Sequence, residues 1–225
     1  MKAQLHRTLG AIAAGYSPAV LASSLSAEDM VLTDAIAGLR LPIAIFILDT
    51  GRLHADTVAL VGRIRARYGI DVKVYEPQAA AVAAYVQGHG ADAFYRSVEL
   101  RQACCEIRKV EPLRRALAGQ RAWITGQRRD HSRARAILAE REFDPAHGLM
   151  KFNPLAAWSE EDVWAYIDER DVPYNRLYDQ GYRSIGCAPC TRPVLPHEPA
   201  RAGRWWWEPE AHNECGLHSR KAIEA

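Results

Sequence analysis

No run of about 18 uninterrupted apolar residues occurs anywhere in this chain, so the sequence offers no membrane-spanning helix. The stretch from Met1 to Pro18 also lacks the charged start, apolar middle and small-residue cleavage site of a secretory signal. The expectation is a soluble, cytoplasmic protein. Charge of one sign is scarce: 29 Lys and Arg face 27 Asp and Glu, a net charge of +2. That balance is too small to point to nucleic acid as the main partner. Cysteine is sparse and odd in number, five in 225 residues, which argues against a disulfide framework in a reducing compartment. Internal repeats, low-complexity tracts and a clear linker are absent as well. The sequence leaves self-association into a homo-oligomer open.

What is present is a core-forming chain, 48% hydrophobic, whose first half alternates two kinds of segment. Ala19 to Ser23, Ile43 to Leu48, Val72 to Tyr75 and Ala122 to Thr125 read as strands. Ala27 to Leu39, Leu53 to Tyr68 and Ala79 to Val86 read as helices. Ile43 to Leu48 is continuously apolar, the pattern of a parallel strand buried on both faces. The expected fold is α/β, a Rossmann-like parallel sheet with helices on both faces. Gly88 to Gly90 reads as a loop and Cys104 to Leu117 as a helix. Ser159, followed by Glu160, Glu161 and Asp162, marks a capped helix start running to about Asp168. Proline, glycine and aromatic residues dominate from Gly181 to Pro209, so a coil-rich tail is expected. The domain reading is residues 1–200 as one body and 201–225 as a mobile tail.

Three turns that follow strands carry anion-binding chemistry. Ser23 and Ser24 precede a helix whose first N–H groups suit an anion, though hydroxyls there are more often plain caps. Asp49, Thr50, Gly51 and Arg52 follow the strongest strand, at the edge where open α/β sheets bind ligands. Gly126 precedes the adjacent Arg128 and Arg129, a pair suited to two-pronged contact with phosphate or sulfate. The competing reading of that last turn is a surface loop with Arg129 paired to Asp130.

The cysteines form the strongest pattern. Adjacent Cys104 and Cys105 are joined, far downstream, by Cys187 and Cys190 in a Cys-x-x-Cys element. Neighbouring cysteines fit separate corners of an iron–sulfur cube better than a structural zinc, which usually takes two spaced pairs. Zinc and reduced vicinal thiols remain the alternatives. Arg108 and Lys109 stand close enough in sequence to offset cluster charge. Cys215 is left over, in a polar, glycine-containing segment with His212, His218, Arg220 and Lys221 nearby. This is the profile of a nucleophile, with an incidental exposed thiol as its alternative. The run Trp205 to Trp207 before it reads as an anchor for the tail.

Six ordered motifs then converge: LDTGRLH (Leu48 to His54), CCEIRKVEPL (Cys104 to Leu113), TGQRRDHS (Thr125 to Ser132), KFNPL (Lys151 to Leu155), GCAPCTRPV (Gly186 to Val194) and ECGLH (Glu214 to His218). With them the chain resembles the assimilatory adenylyl-sulfate reductases of the phosphoadenylyl-sulfate reductase family, whose fold is related to the adenine nucleotide alpha hydrolases. The resemblance implies adenosine 5'-phosphosulfate as substrate and a 4Fe-4S cluster on Cys104, Cys105, Cys187 and Cys190. It also implies catalysis by Cys215 and thioredoxin, or glutaredoxin, as reductant. Substrate contacts are expected from Ser23, Ser24, Asp49, Thr50, Gly51, Arg52, Lys109, Gly126, Arg128, Arg129 and His218. Two positions depart from the family pattern: Leu25 and Ser26 stand for a serine and a glycine in the first loop, and His131 stands for a glutamine.

Overall fold

The computed structural model describes residues 1–132 and 135–208. Six strands form one sheet in the order β3-β2-β1-β4-β6-β5: β1 (Ala19–Ser23), β2 (Ile43–Leu48), β3 (Lys73–Tyr75), β4 (Ala122–Ile124), β5 (Arg141–Asp144) and β6 (Leu149–Phe152). All neighbours pair in parallel except β5 with β6. Alternation along each strand separates two cores. Leu21, Ile45, Ile47 and Ile124 face α1 (Lys2–Gly15), α2 (Ala27–Gly38), α3 (Ala55–Tyr68) and α7 (Glu160–Arg170). Val20, Phe46 and Trp123 face α6 (Glu111–Leu117) on the other side, through Leu113, Ala116 and Leu117. The Rossmann-like sheet with helices on both faces is therefore present. Among the described residues no helix is long and apolar enough to cross a membrane.

Several sequence expectations need adjustment. The helix α1 was not anticipated, although Leu5, Leu9 and Ile12 recur at helical spacing and are all buried. The hairpin of β5 and β6 was missed too, because its strands are short and interleaved with charge. One of those charges, Lys151, is buried but paired with Glu142. The helix predicted from Leu53 begins at Ala55, since the Leu53 backbone forms an antiparallel bridge with Cys187. The Gly88 to Gly90 loop is instead the end of α4 (Ala79–His89), and only Gly90, at φ 93°, leaves the helix. The helix expected at Cys104 starts earlier, as α5 (Val98–Cys105), capped by the Ser97 hydroxyl accepting from Leu100 N–H. It continues into α6 through one π-helical segment, Glu106–Val110. Ser159 does cap α7, in a reciprocal pair with Asp162.

The strand order reverses between β1 and β4, so the loops after these strands diverge at the carboxyl edge and open a crevice there.

Candidate active site

A cavity of about 570 Å³ occupies that crevice, a size suited to a small organic ligand. Ser23, Ser24, Thr50, Lys109, Gly126 and Arg128 line it, so half a dozen of the residues expected at a nucleotide converge there. In the first loop, the Ser24 N–H and hydroxyl both donate to Asp29, at 2.6 and 2.7 Å. The loop amides are thus partly satisfied from within. Leu25, one of the two departures, takes a left-handed φ of 62° and turns a fully buried side chain into the core. Burial pushes the Asp29 carboxyl up to about 6, against the pull of its Ser24 bonds. Gly126 sits so near that a Cβ there would fall 2.5 Å from an Asp29 oxygen, so this position must be glycine for the loops to meet.

Glu28 organises the third turn. Its Oε1 accepts from Arg128 Nε and contacts His131 Nε2, each at 2.9 Å. Burial alone would raise this carboxyl, but the His131 bond and the charges of His131 and Arg128 hold it down at about 2. Arg128 also donates to Asp130 and to the Trp158 carbonyl. The Asp130 partner is thus Arg128, not Arg129. Arg129 donates to the Leu138 carbonyl and does not line the cavity. His131, the second departure, is tied into the site through Glu28, and the Arg128 amide donates to its Nδ1 at 3.3 Å.

Three other expected contacts lie off the cavity. Asp49 accepts the Gly51 N–H at 2.9 Å and closes its own turn, in which Gly51 has a φ of 67°. Arg52 bonds Asp92 and the Ala91 carbonyl and stacks over Phe94. Cys215 and His218 fall outside the described residues.

Arg204 lines the cavity too, although the sequence does not single it out. Gly186 carries no side chain to obstruct the Arg204 guanidinium, which a Cβ would meet at 2.5 Å. Arg204 is buried, lines the cavity and bonds the Ile185 carbonyl, yet its Nε has no partner among the described residues. Gln127 Oε1 and Ser132 Oγ, which also belong to residues lining the cavity, are likewise unpaired among the described residues. Buried polar atoms normally find partners, so these three, a donor, an acceptor and a hydroxyl, point to a polar ligand, and the cations Lys109, Arg128 and Arg204 on the cavity lining suit an anionic one.

The four remaining cysteines line a second, smaller cavity with Arg101, Arg108 and Lys109. None is in a disulfide. Thr50 Oγ1 lies 3.2 Å from Cys187 Sγ, and the Thr50 carbonyl accepts from Arg108 at 2.6 Å. Burial would raise the Cys187 thiol, but Lys109, Thr50, Arg204 and Arg108 outweigh it and bring the thiol below its ordinary value. Burial and the neighbouring Cys187 push Cys190 up to about 12, and burial raises Cys104. Among the described residues no group of three or more His, Cys, Asp or Glu is placed to hold a metal ion. The cavity still gathers four thiols, soft donors for a metal centre, alongside Phe94, Trp205 and the buried cations Arg101, Arg108 and Lys109, which would offset thiolate charge. Lys109 and Cys187 line both cavities, so the two sites share a wall.

Residues 18–193 match the phosphoadenosine phosphosulfate reductase domain. Similar proteins include the adenosine 5'-phosphosulfate reductase of Burkholderia cepacia, 55% identical over 215 residues, covering 96% of this chain and 86% of that one. That of Allochromatium vinosum is 57% identical over 202 residues, covering 90% and 79%. Among solved structures, the phosphoadenylyl-sulfate reductase of Candida auris in a phosphate complex superposes with a TM-score of 0.72 at 29% identity, covering 84% of this chain and 90% of that one. A Candida glabrata FMN adenylyltransferase, at 14% identity and a TM-score of 0.56 over 92% of this chain and 72% of its own, shares the fold alone. With the family match spanning most of its length, and its nucleotide-sized crevice fused to a four-cysteine cavity, this chain belongs to the phosphoadenosine phosphosulfate reductase family.

Proposed function

We propose that this protein reduces adenosine 5'-phosphosulfate to sulfite and AMP, with Cys215 as nucleophile. The observation that carries the reading is the cavity whose wall holds Arg128, Lys109 and Arg204, the last with an Nε that has no partner among the described residues. Relatives named for this nucleotide, at 55% and 57% identity, support the choice of substrate. The Cys215 thiolate attacks the sulfuryl sulfur, the bond from sulfur to the bridging oxygen breaks, and AMP leaves with the electron pair. Arg128, Arg204 and Lys109 offset charge on the phosphoryl and sulfuryl oxygens in a largely dry site. An S-sulfocysteine remains. A dithiol protein such as thioredoxin or glutaredoxin then attacks the Cys215 sulfur. Sulfite departs, and the second thiol resolves the mixed disulfide, supplying the two electrons in all. With the other four cysteines assigned to a cofactor, none is left to act as an internal resolving thiol.

We assign that cofactor as a 4Fe-4S cluster on Cys104, Cys105, Cys187 and Cys190. The buried Arg101, Arg108 and Lys109 suit the net negative charge of four thiolates around a cube. A mononuclear zinc on the same four cysteines is the alternative. When bound, the cluster supplies fixed charge next to Lys109. Protein purified without oxygen is expected to be brown with about four irons per chain. A colourless protein with stoichiometric zinc would overturn the assignment.

The nucleophile is tested by mass spectrometry after mixing with adenosine 5'-phosphosulfate in the absence of thiol. A sulfite-sized adduct on the Cys215 peptide, missing in Cys215→Ser, is the expected result; wild-type protein with no adduct would count decisively against it. The 3'-phosphorylated nucleotide, named for the Candida auris relative, is the second reading, and the same mixing experiment ranks the two substrates by rate.

A further inference from the structure

The last described residue, Glu208, ends in a buried ion pair. Its two carboxylate oxygens accept from Arg101 Nε and Nη2 at 2.9 and 2.8 Å, and the side chains are only 4% and 1% exposed. The grip is two-pronged and shielded from water, the strong form of such a pair. Arg101 belongs to α5, one turn before Cys105, so the chain at Glu208 is bolted to the helix that carries the adjacent cysteines.

The surrounding geometry is built around this contact. Trp205 is 1% exposed and lies between two guanidinium groups, Arg101 at 4.8 Å from the ring centre and Arg204 at 4.5 Å. Its amide donates to the Cys190 carbonyl, and the Glu208 amide donates to the Trp205 carbonyl at 2.8 Å, closing a tight turn. Trp205 has a φ of 44°, a left-handed conformation that a bulky side chain adopts only where its surroundings enforce it. Trp206, next to it, is 42% exposed. The strain and the ion pair together set one direction for the chain at this point. Trp205 also lines the large cavity, so Glu208 lies within about 11 Å of its wall by chain length alone. Cys215 stands seven positions beyond Glu208, a reach of at most about 25 Å.

We infer that Glu208, gripped by Arg101, is a positioning residue: it fixes the origin of the segment bearing Cys215 and so sets how often that thiol meets the sulfuryl group beside Lys109 and Arg204. The inference rests on Cys215 being the nucleophile. A short tether raises effective concentration only when its anchor is fixed at the right span, and small misplacement of a reacting group costs rate steeply. Glu208 touches neither substrate nor reacting atoms in this scheme, so its loss acts on the transfer step and not on nucleotide affinity.

The test uses full-length protein as purified without oxygen. Wild type and Glu208→Gln are mixed with adenosine 5'-phosphosulfate without thiol, quenched over time, and scored for the adduct on the Cys215 peptide. The expected result is transfer at least about tenfold slower, with AMP affinity, visible spectrum and the rate of Cys215 alkylation by iodoacetamide each within about twofold of wild type. A purely structural role would move AMP affinity and spectrum along with the rate, and that result overturns the inference. Glu208→Asp, which keeps the charge but shortens the reach and loses the two-pronged grip, carries the same test if Glu208→Gln does not fold, with at least about fivefold slowing expected. Wild-type transfer in whichever variant is folded also overturns it. Wild-type protein that forms no adduct sinks the nucleophile assignment itself, a failure visible before any variant is compared.

Discussion

Serine in place of Cys215 is expected to lower turnover of adenosine 5'-phosphosulfate by at least about 10⁴-fold while AMP affinity stays within about twofold of wild type. Two separate steps fail in this variant. The first needs a thiolate, which a cysteine supplies readily near neutral pH and a serine hydroxyl does not. The second needs a sulfur–sulfur bond for the outside dithiol to exchange, and a serine sulfate ester has none. Arg128, Lys109 and Arg204, which wall the cavity, are untouched, so binding should survive. Steady-state kinetics with thioredoxin, paired with an AMP titration, reads both quantities. Retention of more than about 1% of kcat would sink the assignment.

Glu28→Gln should cause a large loss of stability for the exchange of one heavy atom. Glu28 holds Arg128 and His131 at 2.9 Å each in a buried position. Removing its charge leaves the Arg128 guanidinium, itself 4% exposed, without its most buried anionic partner, a loss of about 3 kcal/mol. The pH dependence provides the check. The Glu28 carboxyl is held at about 2, below its ordinary 4.5, by His131 and Arg128 despite burial. A folded-state value below the unfolded one gives stability that is fully present above about pH 4.5 and is lost as pH falls toward 2; a shift of that size corresponds to about 3 kcal/mol. Asp29 works in the opposite sense. Its carboxyl, raised by burial to about 6, destabilises the fold above that pH and ceases to do so as pH falls toward 4. In urea unfolding, the gap between wild type and Glu28→Gln should therefore be widest near neutral pH and narrow steadily below about pH 4.5. A gap that stays constant into acid would overturn the account.

Most of the sheet and both cavities were legible in the sequence, for identifiable reasons. Strands β1 and β2 are continuous apolar runs because parallel strands are covered on both faces, and the turns after them announce themselves through Ser23, Ser24, Asp49 and Thr50. The four cysteines are read from spacing alone, and they do line one cavity. What stayed hidden depends on contacts distant in sequence. Arg204 looks like any basic residue until Gly186 is seen to leave it room. Arg128 and Arg129 are equivalent on paper, yet Glu28 claims the first and the Leu138 carbonyl the second. Asp49 reads as a ligand and serves its own turn. The helix α1 had a readable pattern in Leu5, Leu9 and Ile12, whereas the β5–β6 hairpin had none, since its charges are neutralised only on pairing.

The widened turn at Glu106–Val110 adds a matter of phase. One extra residue in a helical run rotates everything beyond it by about 100°. Upstream of it, Arg101, Cys104 and Cys105 are indexed to the four-cysteine cavity; downstream, Leu113, Ala116 and Leu117 are indexed to the sheet. An uninterrupted α-helix of the same residues would present the two sets at a relative angle different by about 100°. The insertion therefore acts as a gear offset between cofactor wall and hydrophobic core, and excising a single residue there would mis-time one set against the other more thoroughly than any side-chain exchange along the same stretch.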